Sequence, residues 1–259
     1  MNLQGDSIGL ILSGGGSKGL AHAGALKFLE EKNIRPTQIA GTSAGAIVAA
    51  LYSWGKSPEE ILALFQSISL FHWKHLTFKK AGLIDSESFK SYFDTVFEEA
   101  ILGDLKIQTH ITATDMANGK LKIFGPETKI VDAVVASAAY PGLLSPYYIN
   151  GNWYSDGGIL NHFPSDILHG KCDTIIGVYV CPIQHIDPKT LNSIRSVTAR
   201  AFDLLIKNSS HQKFKLCDWV IETEQLGVFS TFETKKARME DIFTIGYEAA
   251  KSTYEKLNL

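Results

Sequence analysis

Residues 41–45 of this chain read Gly-Thr-Ser-Ala-Gly, a pattern that constrains the backbone around Ser43 more tightly than any other stretch. A short apolar run ending at Ala40 predicts a buried strand before it, and residues 44–52 predict a buried helix after it. In such a strand–turn–helix unit the small neighbours allow a sharp bend that points the serine hydroxyl outward. The helix start adds unpaired N–H groups and the positive end of its dipole. Ser43 is therefore a candidate nucleophile, although a plain small-residue turn has the same pattern.

A second glycine-rich stretch, residues 14–19, also lies between a predicted strand and a predicted helix. It fits the G-x-G-x-x-G fingerprint of dinucleotide-binding proteins, which expects an acidic residue about 20 positions further on. Residues 38–41 stand at that place and include no acid. Because Gly19 follows Lys18, the stretch is not a phosphate-binding P-loop either. Its bare backbone N–H groups can instead converge on a developing oxyanion, which suits a loop one strand before Ser43.

A third stretch follows a predicted hairpin whose turn lies at residues 150–152. Asp156 stands there at the end of a predicted strand and is followed by Gly157 and Gly158. This arrangement indicates a carboxylate held at a tight turn. A plain Asp-Gly turn, which is common, has the same sequence.

The order of the predicted elements indicates the fold class. Strands at residues 7–13, 39–40, 108–114 and 173–180 alternate with helices, which predicts a mostly parallel sheet covered on both faces. Active residues should then gather at the carboxyl ends of the parallel strands. Turn signals at residues 118–119 and 150–152 predict antiparallel hairpins added to that sheet. The closing helix is predicted to bury a stripe formed by Met239, Ile242, Phe243, Gly246, Ala249, Ala250 and Leu257.

Composition excludes several classes of protein. The chain has 259 residues, of which 45% are hydrophobic and 20% charged, and this is ordinary for a globular domain. A net charge of −2 gives no argument for a nucleic-acid partner. The three cysteines form no C-x-x-C pair, which favours a reducing compartment. Neither a signal peptide nor a membrane-spanning apolar run is evident, so we expect one cytoplasmic domain over residues 1–259.

Residues 70–80 are rich in aromatic and basic side chains and lack clear periodicity. They are interpreted as a loop held on the core by its aromatic residues. The alternative is a lip over the site that touches lipid at a membrane surface, anchored by residues such as Trp73. His72 and His75 have no third ligand in view, so no metal site is predicted.

Taken together, the three stretches resemble the patatin-like phospholipase family. Glycine loop, G-x-S-x-G turn and D-G-G occur in the family's order and spacing, and residues 136–141 resemble its A-S-A-A-x-P segment. Lys18 stands where many members have arginine, and His162 stands where the family often has asparagine. The resemblance covers about residues 8–164, and the last third of the chain is not diagnostic.

The resemblance implies a three-layer α/β/α sandwich and a Ser–Asp dyad that needs no metal or cofactor. Ser43 would attack an ester carbonyl, and Asp156 would act as general base. The substrate would be a fatty-acyl ester in a phospholipid, lysophospholipid or neutral lipid. The head group, the acyl length and the oligomeric state are left open. The residues implied for the oxyanion hole are Gly14, Gly15, Gly16, Ser17 and Lys18, of which Lys18 would stabilise the loop or a substrate phosphate.

Two other classes of protein stay open at this point. One is a Ser-His-Asp α/β-hydrolase, for which the histidines that follow Asp156 offer candidates. The other is a catalytically idle lipid-binding or regulatory protein on the same fold. A serine-directed fluorophosphonate probe separates both kinds of enzyme from the idle protein. The histidines in question are His162, His169, His185 and His211.

Overall fold

The computed structural model describes residues 7–72, 86–183 and 185–257. The predicted lipid-contacting segment falls largely outside these residues. Its first part, up to His72, continues the helix that begins at Pro58 rather than forming a loop. Residues 73–80, including Trp73, lie outside the described part of the chain.

A mixed sheet forms the centre of the fold. Its strands pair in the order β5-β6-β3-β2-β1-β7-β8, and β4 also pairs with β3. The pairs β1·β2, β2·β3, β1·β7 and β7·β8 are parallel, whereas β3·β4, β3·β6 and β5·β6 are antiparallel. Both predicted hairpins are therefore confirmed. The strands are β1 (Ile8–Leu12), β2 (Gln38–Thr42), β3 (Gln108–Asp115), β4 (Lys120–Ile123), β5 (Tyr147–Ile149), β6 (Asn152–Asp156), β7 (Thr174–Tyr179) and β8 (Trp219–Glu222).

Helices cover the sheet on both faces, which confirms the predicted three-layer α/β/α class. Apolar side chains of α1 to α5 and α8 pack with one face of the sheet in the main core. A smaller apolar cluster on the other face joins Ile11, Ala40 and Tyr179 to Phe163 and Leu168, which follow α6. The helices are α1 (Leu20–Glu31), α2 (Ala44–Trp54), α3 (Pro58–His72), α4 (Ser86–Phe97), α5 (Ile130–Ala138), α6 (Gly158–Asn161), α7 (Ile194–His211) and α8 (Lys236–Lys256).

The closing helix α8 buries most of its predicted stripe. Met239, Ile242, Phe243, Gly246 and Ala250 are buried, and Ala249 is half-buried. The prediction was wrong for Leu257, which lies after the last helical residue and is exposed. No helix in the described ranges is long and apolar enough to span a bilayer.

The edges of β3 explain how two distant parts of the sequence meet. Thr112 pairs with Thr42 of β2 on one edge and with β4 on the other. Ala113 pairs with Asp156 of β6 on one edge and again with β4 on the other. Because each strand residue has one partner on each edge, β2 and β6 share an edge of β3. They run in opposite directions, so their carboxyl ends meet.

The two candidate catalytic residues come from strands of different direction. Active residues were expected to gather at the carboxyl ends of the parallel strands, and Asp156 was expected to follow a hairpin. Ser43 does follow the parallel strand β2, but Asp156 ends β6, which is antiparallel to β3. The Asp156 carboxylate still lies next to Ser43, because β6 and β2 run in opposite directions and their carboxyl ends meet.

Candidate active site

Ser43 joins β2 to α2 in a strained backbone conformation. Its φ is 54° and its ψ is −121°, a backbone region that residues other than glycine rarely adopt. Such strain costs about 1–3 kcal/mol and persists only where the surroundings fix it. The backbone N–H of Ser43 donates to the Oγ of Ser137 at 2.8 Å, which helps to fix it.

The two glycines of the 41–45 pattern are required by close backbone contacts. A Cβ on Gly41 would lie 2.6 Å from the carbonyl oxygen of Gly45. A Cβ on Gly45 would lie 2.3 Å from the carbonyl oxygen of Leu12 in β1. The start of α2 can therefore pack directly on the sheet. The turn places Ser43 at the carboxyl end of β2.

Asp156 contacts the Ser43 hydroxyl directly. The Oγ of Ser43 donates to the Oδ2 of Asp156 at 2.6 Å, and the backbone N–H of Gly158 donates to Oδ1 at 2.7 Å. The carboxyl is almost fully buried. Burial raises its pKa to about 6, while the bonds from Ser43 and Gly158 oppose that rise. Such a group is ionised at neutral pH but titrates close to it.

No histidine described in the structure hydrogen-bonds to Ser43 or to the Asp156 carboxylate. His162 is buried, and its Nδ1 lies 3.4 Å from the Oγ of Ser210. Burial, and to a lesser extent the nearby His22, lowers the pKa of His162 to about 3, so its ring is neutral. Of the other candidates, His169 is exposed, His185 lines the cavity described below, and His211 packs on Tyr179 and Phe214.

Some of the predicted oxyanion donors are already used within the protein. The N–H of Gly14 donates to the carbonyl of His162 at 3.1 Å, and that of Ser17 donates to the carbonyl of Thr231 at 2.7 Å. The N–H of Lys18 turns back to the carbonyl of Gly15 at 3.2 Å. Across the described residues the N–H groups of Gly15 and Gly16 have no acceptor. Both residues line the cavity described below.

The Lys18 side chain is buried at the same site. It is 8% exposed, and its ammonium makes no ion pair or hydrogen bond to any described residue. The side chain lines a cavity together with Arg200 and Asp203. Burial raises the pKa of Asp203, and the charges of Lys18 and Arg200 oppose that rise. The cavity lining therefore includes two carboxyl groups, of Asp156 and Asp203, and two cations, of Lys18 and Arg200.

A cavity of about 640 Å³ opens over Ser43 and Asp156. This volume is within the usual range for small-molecule sites, about 300–1,000 Å³. Apolar side chains from the main core line part of its wall, which suits a hydrocarbon chain. They are Ile47, Phe65, Phe89, Leu143, Leu144, Phe229 and Met239.

Gly16→Ala is expected to lower kcat more than it raises KM. Gly16 has a φ of 57°, and a Cβ there would lie 2.2 Å from the carbonyl oxygen of Thr231, so the loop must shift. Loss of one well-placed oxyanion donor costs roughly 10² to 10³ in rate. Steady-state kinetics on a soluble ester measures both parameters.

Gly119→Ala is the matched control, because Gly119 has a φ of 61° but a Cβ added there would meet no atom within 4 Å. The Gly119→Ala variant introduces a similar backbone strain at a position outside the glycine loop, so it should keep its activity. A change confined to KM in Gly16→Ala would contradict the oxyanion role and indicate substrate positioning instead.

A mostly parallel sheet that holds a strained serine between strand and helix, with its hydroxyl on a buried carboxylate, has the architecture of the α/β serine hydrolases. Comparison with known families narrows this class. The family model "Patatin-like phospholipase" matches residues 10–169, and the chain belongs to that family.

Similar proteins include much longer chains. The patatin-like phospholipase domain-containing protein ZK370.4 of Caenorhabditis elegans is 30% identical over 73% of this chain and 14% of its own length. The lysophospholipase NTE1 of Candida glabrata is 30% identical over 72% of this chain and 11% of its own. This chain thus spans only about an eighth of these relatives. The crystal structure of VipD from Legionella pneumophila has the same fold, with a TM-score of 0.64 at 14% identity, over 96% of this chain and 67% of VipD.

Proposed function

We propose that this protein is a serine acyl hydrolase that cleaves fatty-acyl esters of phospholipids or related lipids. The observation that carries the proposal is the 2.6 Å hydrogen bond from the Ser43 Oγ to the Asp156 Oδ2 within the cavity. A nucleophile in hydrogen-bond reach of its base is the geometry that covalent catalysis requires. The apolar wall of the cavity supports an acyl group as the ligand.

In the first half of the reaction Ser43 attacks the ester carbonyl carbon and its hydroxyl proton passes to Asp156. The tetrahedral intermediate then collapses, and Asp156 returns the proton to the leaving alcohol, which leaves an acyl group on Ser43. In the second half Asp156 takes a proton from water, and the resulting hydroxide attacks the acyl-enzyme. The second tetrahedral intermediate then collapses, and Asp156 returns this proton to the Ser43 Oγ as the fatty acid leaves, which restores the free serine.

The raised pKa of Asp156 supports this double role. A carboxyl with a pKa of about 6 is ionised at neutral pH and so can accept the serine proton. The raised pKa also makes this carboxylate a stronger base than that of an ordinary aspartate. General-base catalysis becomes more efficient as the pKa of the base approaches the working pH. Burial provides this shift without a histidine.

The N–H groups of Gly15 and Gly16 are proposed as donors to the oxyanion. Both line the cavity with Ser43, and both are free within the described part of the chain. The start of α2 adds the positive end of its dipole behind Ser43. Stabilisation of this kind is often the largest single contribution to catalysis.

Lys18 is proposed to face a substrate phosphate. Its side chain is largely buried and lines the cavity, and its ammonium lacks an ion-pair partner among the described residues, so it gains from an anionic ligand. The names of the NTE1 relatives point to lysophospholipids, which carry both an acyl ester and a phosphate. A phosphate-bearing lipid would therefore use both the apolar wall and Lys18.

A panel of phosphatidylcholine, lysophosphatidylcholine and a triacylglycerol tests the proposal by the fatty acid released from each. We expect release from at least one lipid, and faster release from the two that carry phosphate because Lys18 has an anion to bind. Lys18→Met should reduce that preference while sparing a neutral ester. A folded protein that releases fatty acid from none of the three would contradict the proposed activity.

A further inference from the structure

Helix α7 exposes large apolar side chains along its outer face. Ile194 is 89% exposed and Leu205 is 68% exposed, and about half of Val197 and of Leu204 is exposed as well. At 3.6 residues per turn these four positions share one side of the helix. A stripe of exposed apolar residues in a helix of 18 residues is unusual for a surface that faces only water.

The inner face of the same helix forms part of the cavity wall. Phe202, Asp203 and Ile206 line the cavity that contains Ser43. The ring of Tyr140 packs against Phe202 on α7, with centroids 5.9 Å apart, and against Phe232, with centroids 5.8 Å apart. Phe232 also lines the cavity and is 46% exposed. Helix α7 therefore carries the exposed apolar stripe on one side and forms part of the cavity wall on the other.

The charge of this part of the chain differs from that of the whole. The chain has a net charge of −2, yet residues 187–215 contain six lysines and arginines against two aspartates. Lys189 is exposed and Lys207 is half-buried. Lys213 is held in an ion pair and Arg200 lines the cavity, so these two are not counted among the cations available to lipid. A helix with an exposed apolar stripe and cations on it and beside it is the arrangement that lies in the interface of an anionic membrane.

We infer that the outer face of α7 docks this protein on an anionic lipid surface, next to the opening of its cavity. Ile194, Val197, Leu204 and Leu205 would enter the boundary between head groups and acyl chains, while the cations pair with lipid phosphates. The cations on and beside α7, together with the part that this helix takes in the cavity wall, favour a lipid surface over a second copy of the chain. The inference rests on the proposed function only for the choice of lipid as the occupant.

The test uses the full chain carrying Ser43→Ala, so that the vesicles stay intact during the measurement. Ile194→Asp with Leu205→Asp is compared with Ile123→Asp and Leu257→Asp, two exposed apolar residues on β4 and beyond the end of α8. Vesicles of phosphatidylcholine with phosphatidylglycerol are sedimented with each protein. Only the α7 variant loses two aliphatic side chains that would be buried in the lipid, so its affinity for vesicles should fall on the order of a hundredfold. The control pair should bind as well as its parent.

A second variant tests the charges. Lys189→Glu with Lys207→Glu should weaken binding to the anionic vesicles, and high salt should weaken binding of the unchanged chain. In chains that keep Ser43, the apolar and the charge double variants should both hydrolyse a soluble ester at the parent rate, since none of the four substituted residues lines the cavity. Loss of lipid hydrolysis in the panel, with α7-dependent vesicle binding intact, would remove the proposed function and leave this inference standing.

Three results would overturn the inference. The first is no binding of the unchanged chain to anionic vesicles. The second is equal binding by the Ile194→Asp, Leu205→Asp variant and its parent. The third is a dimer, seen by light scattering, that the α7 variant splits while vesicle binding is unchanged, which would make this face an interface between two copies.

Discussion

Ser43→Ala should abolish ester hydrolysis while leaving the fold intact. The Oγ of Ser43 is the proposed nucleophile, and loss of the nucleophile in serine hydrolases costs on the order of 10⁶ in rate. The remaining Cβ keeps the contacts of the turn, and the backbone N–H still donates to the Ser137 Oγ. Hydrolysis of p-nitrophenyl butyrate measures the loss without the need for a lipid surface.

Ser67→Ala is the matched control for that measurement, since it removes the hydroxyl of an exposed serine on α3. It should leave the rate unchanged. Activity of Ser43→Ala within about tenfold of wild type, a barrier change of only about 1.4 kcal/mol, would remove Ser43 from its proposed role.

Asp156→Asn should be nearly inactive, whereas His162→Asn should keep most of its activity. An asparagine at 156 keeps the size of the side chain but cannot take the serine proton. His162 is buried, neutral and not bonded to either proposed catalytic residue, so its replacement removes packing rather than a base. Values of kcat for the two variants on the same soluble ester give the comparison.

The pH dependence of the rate adds a second readout. The Asp156 carboxyl must be ionised to act as base, and its pKa is raised to about 6, so kcat/KM should fall as the pH drops below about 6. The His162 pKa is lowered to about 3, so that ring does not titrate in this range. The acid limb should therefore persist in His162→Asn. A loss beyond about a hundredfold in kcat in folded His162→Asn, with that limb gone, would instead favour a triad.

The main elements of the fold could be predicted because their signals are local. The apolar runs before residues 14–19 and 41–45 form β1 and β2, and the turns near residues 118 and 150 close two hairpins. Ser57 and Glu60 form a capping box at the start of α3. Each of these features depends on residues within a few positions of one another.

The assembly of the site could not be predicted in the same way, because it depends on distant partners. The sequence marks Ser137 only as part of a family-like segment, whereas in the fold its hydroxyl accepts a hydrogen bond from the Ser43 backbone N–H. Thr231, in the undiagnostic last third, accepts from the N–H of Ser17 and so removes a predicted oxyanion donor. The meeting of β2 and β6 on one edge of β3 likewise has no signature in either strand.

The central claim is that Ser43 is the nucleophile and Asp156 activates it. Mapping the peptide modified by a fluorophosphonate, by mass spectrometry on wild type, Asp156→Asn and His162→Asn, tests this claim most directly. The account predicts one adduct on Ser43, formed at a similar rate in wild type and His162→Asn and far more slowly in Asp156→Asn. An adduct on another serine, or labelling that depends on His162 and not on Asp156, would contradict it.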